Sequence, residues 1–336
     1  LLHFRNRFGI PLSDEDAMKA PFYKPREDSE EMKYLQKRRK EMGGYLPKRE
    51  EKADPIPAPD DKVYKELLEG SGERDFATTM AIVSLLGKLL NDKNIGKRIV
   101  PIVPDESRTF GMDALFRKVG IYSHTGQNYE PVDRDSLLYY KEATDGAILE
   151  EGITEAGCMS SFVAAGTSYS THGVGMIPFF IFYFMFGFQR VGDFIWAAAD
   201  ARARGFLVGG TSGRTTLAGE GLQHTDGHSQ LNALAIPNLK AYDPAYAYEV
   251  AVIVKEGIRR MFTEQEDLMY YITVLNEKYK MPKMPGNVEE GILKGMYRYR
   301  KSRKRSGEKV HLLGSGAILN EALRASEILE KDYGLI

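Results

Sequence analysis

The 336-residue chain has a single cysteine, Cys158, and a single tryptophan, Trp196. One cysteine excludes an internal disulfide framework and suits a reducing compartment, so a cytoplasmic location is expected. An excess of one charge is also missing. With 46 basic and 47 acidic residues the net charge is −1, so no global field draws the chain to nucleic acid or to an anionic membrane. Long hydrophobic runs are scarce. The most apolar one, 174–188, is interrupted by Pro178 and falls short of the ~20 residues a membrane helix needs. The first residues lack the basic segment and apolar run of a signal peptide. Neither a G-x-S-x-G elbow nor a P-loop occurs, which removes the usual serine-hydrolase and nucleotide-triphosphate readings. What remains is 43% hydrophobic and 28% charged, ordinary for a soluble globular protein with room for about two domains. The chain opens Leu-Leu-His without an initiator Met and ends uncapped on Leu335-Ile336. It therefore reads as a piece of a longer polypeptide, cut within a helix.

Four segments are expected: a charged connector over 1–60, a compact domain over 61–285, a linker over 286–306 and the start of another domain over 307–336. In the connector, 30–42 reads as a polar helix and 48–61, rich in Pro and charge, as a linker. Acidic and basic residues interleave there, which argues against a nucleic-acid tail. In the compact domain, Phe76, Met80, Val83, Leu86 and Leu90 recur at helical spacing, predicting an amphipathic helix over 74–90. Residues 98–103 predict a strand that stops at Asp105-Glu106, where α/β proteins place ligand contacts. A helical patch is expected at 111–118. Residues 176–184, MIPFFIFYF, are apolar on both alternations, as in a strand buried on both faces of a parallel sheet. A helix over 186–202, strands at 205–208, 233–241 and 269–275, and a helix from Asp243-Pro244 to Phe262 complete the pattern. Strands alternating with helices define an α/β fold with a mainly parallel sheet and helices on both faces. The run 298–305 reads as a basic linker. Residues 310–314 then predict a strand, with Gly314-Ser315-Gly316 opening a helix as the tight turn of another α/β domain.

Chemistry concentrates in three places. Residues 146–171 place Glu155 at the end of an acidic, glycine-bounded turn, directly before a small-residue helix. A carboxylate there is costly unless paired, and a ligand is the expected partner. The loop 209–229 holds six glycines with His224 and His228; loops this long are usually functional or mobile, and glycine lets backbone approach a ligand. The two histidines are open to three readings: a metal pair, backbone-bonded loop residues, or contacts to an anionic or carbonyl substrate. Thr225-Asp226-Gly227 between them disfavours the helix a zinc pair needs. Third, Tyr183 and Phe186 fall where the aromatic strand turns, and a flat heteroaromatic ligand can stack there. Arg190 beyond them is an anion contact or a carboxylate partner. Cys158, inside an apolar helix, reads as inert.

The runs GITEAG (152–157), TSYST (167–171), MIPFFIFYFMFGFQRVGD (176–193), ARGFLVGGTSGRTTLAGEGLQHTDGHS (203–229) and YDPAYAYEVAVI (242–253) resemble the homodimeric type of pyruvate dehydrogenase, the acetyl-transferring, decarboxylating component of the pyruvate dehydrogenase complex. The resemblance extends over about 61–285 and into the last thirty residues. It implies a thiamine diphosphate-binding fold of the pyrimidine type, followed by the first β-α unit of a transketolase-like C-terminal domain. It also implies thiamine diphosphate with Mg²⁺, a homodimer, pyruvate as substrate, and a lipoyl-bearing acyltransferase component as partner. Glu155 would bond the pyrimidine ring nitrogen and favour the imino tautomer that takes the thiazolium proton. Phe186 would stack on that ring with Tyr183 beside it. His224 would face the substrate carboxylate, and Asp105, Glu106 and His228 would line the pocket. The Gly-Asp-Gly signature of the diphosphate-binding domain is absent, so metal and diphosphate ligands are expected elsewhere and this chain carries half a site. Another 2-oxo acid dehydrogenase, a transketolase-like enzyme, or a non-catalytic scaffold of the same fold are the alternatives.

Overall fold

The computed structural model describes residues 1–45, 49–104, 107–131, 140–211, 213, 224–302, 304 and 306–335. The chain divides into two compact units, Leu1–Arg49 and Glu50–Ile336. The first holds three helices, Leu2–Arg7, Asp14–Met18 and Glu30–Glu41. Ser13 and Ser29 cap the second and third by accepting hydrogen bonds from the backbone N–H of Asp16 and Met32, satisfying donors that a helix start leaves unpaired.

The second unit is built on a six-stranded sheet. Its strands are β1 (Ile99–Val103), β2 (Leu149–Glu150), β3 (Ile177–Tyr183), β4 (Gly205–Gly210), β5 (Leu239–Tyr242) and β6 (Met269–Thr273). They lie in the order β2-β1-β3-β4-β6-β5, with every neighbouring pair parallel. All seven residues of β3 are buried, as its unbroken apolar run predicts. Its side chains divide by parity. Ile177, Phe179, Ile181 and Tyr183 enter one core with Phe206, Val208, Tyr270 and Ile272. Phe180 and Phe182 enter the other with Leu207, Met269 and Tyr271. Burying one such side chain contributes about 1.5–3 kcal/mol, so β3 couples both layers.

Helices cover both faces. The first core takes α1 (Thr78–Leu90) and α5 (Ala247–Ile258); the second takes α2 (Glu155–Gly166), α3 (Phe188–Asp200) and α4 (Ser229–Leu234). No helix among the described residues is long and apolar enough to cross a membrane.

Several elements differ from expectation. Helix α1 starts at Thr78, not 74, because Asp75–Phe76 pairs antiparallel with Tyr279–Lys280. It is also buried on most sides, including Thr78, Thr79 and Gly87, so its 3–4 spacing marks the most apolar stripe and not the whole buried surface. Residues 233–234 finish a helix, 235–236 turn out of it, and only Leu239–Tyr242 is strand. Asp243 does not cap α5: its carboxylate accepts from Thr273 Oγ1 at 2.6 Å and Ser315 Oγ at 2.6 Å. Instead Glu249 reaches back to the N–H groups of Ala245 (2.5 Å) and Tyr246 (3.3 Å), and the helix begins at Ala247. Residues 310–314 join no strand ladder, although α6 (Ile318–Asp332) forms after them; a strand needs a neighbour to take its backbone groups. Helix α6 ends at Asp332, ahead of the last residues.

Candidate active site

In a parallel sheet, ligands bind beyond the carboxyl ends of the strands, where the order of connection reverses. Here the reversal lies between β1 and β3: β1 is followed by β2 on one side and β3 on the other. The chain leaves β2 into the turn that carries Glu155. It leaves β3 into a 3-10 turn, Phe184–Phe186, and then α3. It leaves β4 toward His224. These three exits build the site.

Glu155 is the first residue of α2. Thr154 caps that helix, its Oγ1 accepting from the Gly157 N–H at 3.2 Å. A carboxylate in the first turn is favoured by the positive end of the helix dipole, and the side chain is buried, 6% exposed. It is not left for a ligand alone, as the sequence suggests. Arg190 Nη1 donates to both of its oxygens, at 3.2 and 3.1 Å. The same guanidinium lies 3.9 Å above the centre of the Phe186 ring.

Tyr183, Phe186 and His224 form a three-ring cluster. The Tyr183 and His224 rings are 4.9 Å apart and edge-on, Tyr183 and Phe186 are 6.1 Å apart and edge-on, and Phe186 and His224 are 6.1 Å apart. Tyr183 is also backed by Phe110 at 5.2 Å. The tight exit from β3 depends on Gly187. A Cβ there would sit 2.1 Å from the Phe182 ring, closer than any real contact, so only glycine lets the chain turn over that ring and present Phe186 and Arg190 together.

His228 stands apart from this cluster. Its Nε2 lies 2.8 Å from the side-chain amide of Gln189. With that amide turned so that its nitrogen donates to Met185 O and Phe184 O, its oxygen accepts from Nε2, which makes His228 the Nε2–H tautomer. Sequence reasoning missed Asp226, which sets this turn. Its Oδ1 accepts from the N–H of His228 (3.2 Å) and Ser229 (3.0 Å), and its Oδ2 from Ser229 Oγ (2.6 Å). Tyr271 OH then donates to Ser229 Oγ at 2.8 Å. The signal available was an Asp three residues before a short helix. Asp105 and Glu106 lie outside the described residues. Just beyond them, Ser107 Oγ donates to Glu150 Oε1 at 2.5 Å, joining the exits of β1 and β2.

Among the described residues, no group of three or more His, Cys, Asp or Glu side chains is placed to hold a metal ion. Cys158 is fully buried. Burial, with the nearby charges of Glu151 and Glu155, pushes its thiol up to about 12, so it is no nucleophile near neutral pH.

The arrangement is a buried carboxylate beside an aromatic face at the switch point of a parallel α/β sheet. Solved transketolases share this fold. The structure from Leishmania mexicana matches with a TM-score of 0.61 at 17% identity, over 81% of this chain and 35% of that one. The structure from Campylobacter jejuni gives 0.57 at 18% identity, over 82% of this chain and 35% of that one. Residues 54–282 match the family described as pyruvate dehydrogenase E1 component middle domain, and the chain belongs to that family. It is 58% identical over 332 residues to the pyruvate dehydrogenase E1 component of Pseudomonas aeruginosa, and 53% identical over 335 residues to that of Escherichia coli K12. Each alignment takes in 99% of this chain and 38% of the relative, so the chain spans well under half the length of these relatives.

Proposed function

We propose that this chain supplies the pyrimidine-binding half of an enzyme that oxidatively decarboxylates pyruvate with thiamine diphosphate and passes the acetyl group to a lipoyl group of the acyltransferase component. The observation that carries the reading is the convergence of Glu155, Tyr183, Phe186 and His224 at one end of the sheet. Their chemistry fits an aminopyrimidine: a desolvated carboxylate to accept from a ring nitrogen, and aromatic faces to hold the ring flat. When bound, thiamine diphosphate supplies the nucleophilic carbon and the electron sink that loss of the substrate's carboxyl group requires.

This chain's residues orient and move protons. Glu155, at a helix start and screened from water, would hold the ring by a pyrimidine nitrogen and could exchange a proton with it. Phe186 and Tyr183 fix the plane of the ring. His224, in edge contact with both rings, directs its imidazole toward the carboxylate of pyruvate. Asp105 and Glu106, which follow β1, contribute to the cofactor and substrate pocket, and His228 lies at its rim.

No Gly-Asp-Gly run is present in the sequence, so the diphosphate and Mg²⁺ are assigned to a separate domain, contributed across a homodimer. On this reading 1–60 is a connector, 61–285 the pyrimidine-binding domain, 286–306 a linker and 307–336 the start of a transketolase-like domain. The assembled enzyme would act in the cytoplasm, on the pyruvate that glycolysis produces. Two measurements test the proposal. Glu155→Gln in the full-length enzyme should lower the decarboxylation rate by on the order of 10²–10⁴, the usual contribution of positioned proton transfer. The 336-residue chain alone should decarboxylate nothing. A Gln variant at the wild-type rate, or turnover by the isolated chain, refutes it.

A further inference from the structure

Two of the side chains assigned to the site ride on segments that the sheet does not hold directly. Phe186 ends the 3-10 turn Phe184–Phe186. The helix after it is kinked at Val191 (φ −126°, ψ 22°), so residues 188–190 form a short turn of their own ahead of the helix body. His224 lies in the segment 224–229, which returns from β4 to α4. The base of that segment is fixed. The Asp226 N–H donates to Gly213 O at 3.1 Å, Asp226 Oδ1 accepts from the N–H of His228 and Ser229, and Tyr271 OH reaches Ser229 Oγ from β6. None of these bonds reaches the Phe186 turn. A different hydrogen bond crosses between them. His228 Nε2 lies 2.8 Å from the Gln189 amide, whose oxygen accepts from it while the amide nitrogen donates to Met185 O at 3.0 Å and Phe184 O at 3.3 Å. The task needs an acceptor and two donors in one planar group, which among side chains only a primary amide offers. Glutamate at 189 would face two carbonyls with an acceptor, and leucine would bond nothing.

We infer that Gln189 and His228 latch the His224 segment to the turn that presents Phe186. Both are positioning residues. The latch fixes the spacing of the His224 imidazole from the Phe186 ring, 6.1 Å between centres, and acts on the reaction only through those two groups. This rests on the site assigned above. It gives His228, at the rim of the pocket, a protein partner in place of a substrate contact. The donor on Nε2 is already given to Gln189. In that tautomer Nδ1 is an acceptor, so the neutral ring has no N–H left for the carboxylate of pyruvate.

The two ends of the latch do different work. Without the imidazole, Gln189 still holds the carbonyls of Phe184 and Met185, so Phe186 keeps its place and only the His224 segment loosens. Without the Gln189 amide both are freed. A glutamine at 228 brings an amide N–H near the place of Nε2 and can remake the bond. A misplacement of about 1 Å at a reacting group costs on the order of 100-fold, which sets the upper scale for either loss.

The experiment uses the full-length enzyme with His228→Ala, His228→Gln, Gln189→Leu, the double variant His228→Ala with Gln189→Leu, and His224→Ala. The quantities measured are kcat and KM for pyruvate, the dissociation constant of thiamine diphosphate by calorimetry, and the thermal midpoint. His228→Ala should lower kcat/KM for pyruvate about 10–100-fold, with cofactor affinity and the thermal midpoint unchanged. His228→Gln should recover most of that loss. Gln189→Leu should match the loss for pyruvate and also weaken cofactor binding. Because the two residues act as one unit, the double variant should lose no more toward pyruvate than Gln189→Leu alone. Losses that multiply in the double variant, wild-type kcat/KM in His228→Ala, or a His228→Gln as slow as His228→Ala each overturn the inference and leave the site assignment standing. A thermal midpoint lowered in step with activity in every variant reduces the pair to a structural role and also overturns the inference. Wild-type kcat/KM in His224→Ala overturns the site assignment itself.

Discussion

Glu249 offers a quantitative test of how the domain is held together. It lies in the first turn of α5, 6% exposed. Oε2 accepts from the N–H of Ala245 at 2.5 Å and of Tyr246 at 3.3 Å, and Oε1 accepts from Tyr297 OH. Tyr297 is itself bonded to Tyr248 OH, so its hydroxyl keeps a partner if the carboxylate is removed. Glu249→Ala therefore orphans two buried backbone donors, each worth about 1–3 kcal/mol, and opens a small void. The expected loss is about 3–5 kcal/mol. Glu249→Gln keeps the oxygen that accepts both N–H groups and should cost about 1 kcal/mol. The pair also differs in pH response. Burial raises the Glu249 carboxyl above its ordinary value, with the hydrogen bonds from Tyr297, Ala245 and Tyr246 opposing that and the nearby Asp243 charge adding to it. The native state then holds the proton more tightly than the unfolded chain. Between the unfolded and native pKa values the native state binds more protons, so stability falls as pH rises. The stabilisation is complete below the unfolded value and is lost as pH climbs through the folded one. Urea midpoints of wild type and Glu249→Gln, taken from about pH 4 to pH 8, should show the wild type losing ground relative to the variant as pH rises. An Ala variant within about 1 kcal/mol of wild type, or a wild-type minus Gln difference that is flat with pH, refutes the reasoning.

Two further outcomes follow from the site. Gly187→Ala drives a Cβ into the Phe182 ring; it should cost about 1–3 kcal/mol in thermal or urea unfolding and weaken thiamine diphosphate binding in calorimetry of the full-length enzyme, because Phe186 and Arg190 shift with the turn. Cys158, with its thiol pushed up to about 12, should take up no iodoacetamide at pH 8 while folded, since only about one thiol in ten thousand is ionised there, and should label fully in urea; rapid labelling of the native protein would contradict its burial.

The parts of this molecule legible in the sequence are those where one residue type leaves no choice. The unbroken apolar run of β3 identifies a strand buried on both faces, because no half-exposed strand tolerates it. It could not say which core each ring enters; that depends on register with β1 and β4. Helix α4 was misread in part because Leu231 and Leu234 are exposed, so its apolar residues trace no buried face. The strand expected at 310–314 failed for a different reason. Strand propensity is a statement about fit to a neighbour, and none pairs with it here. Gly187 is an ordinary glycine in the sequence; that it must be glycine follows only from where the Phe182 ring lies.

The site divides along the same line. Glu155 is conspicuous in one dimension because a carboxylate before a small-residue helix demands an explanation, Tyr183 and Phe186 mark the turn at the end of an aromatic strand, and His224 stands in a long glycine-rich loop. Arg190 carries two equally good sequence readings, an anion contact or a carboxylate partner, and 35 residues separate it from Glu155. The fold chooses by a route that periodicity cannot follow. β2 and β3 both flank β1, so their exits lie on the same edge, and Gly187 bends the chain sharply enough to bring the first turn of α3 back over the start of α2. Glu155 and Arg190 are neighbours because of strand order, and strand order is settled by the packing of two cores against one sheet. A change in β3 directly beneath that turn, such as Phe182→Leu, should therefore lower activity of the full-length enzyme through Gly187 and Arg190 as well as costing about 1 kcal/mol in urea unfolding; wild-type kcat in a destabilised variant would refute the coupling.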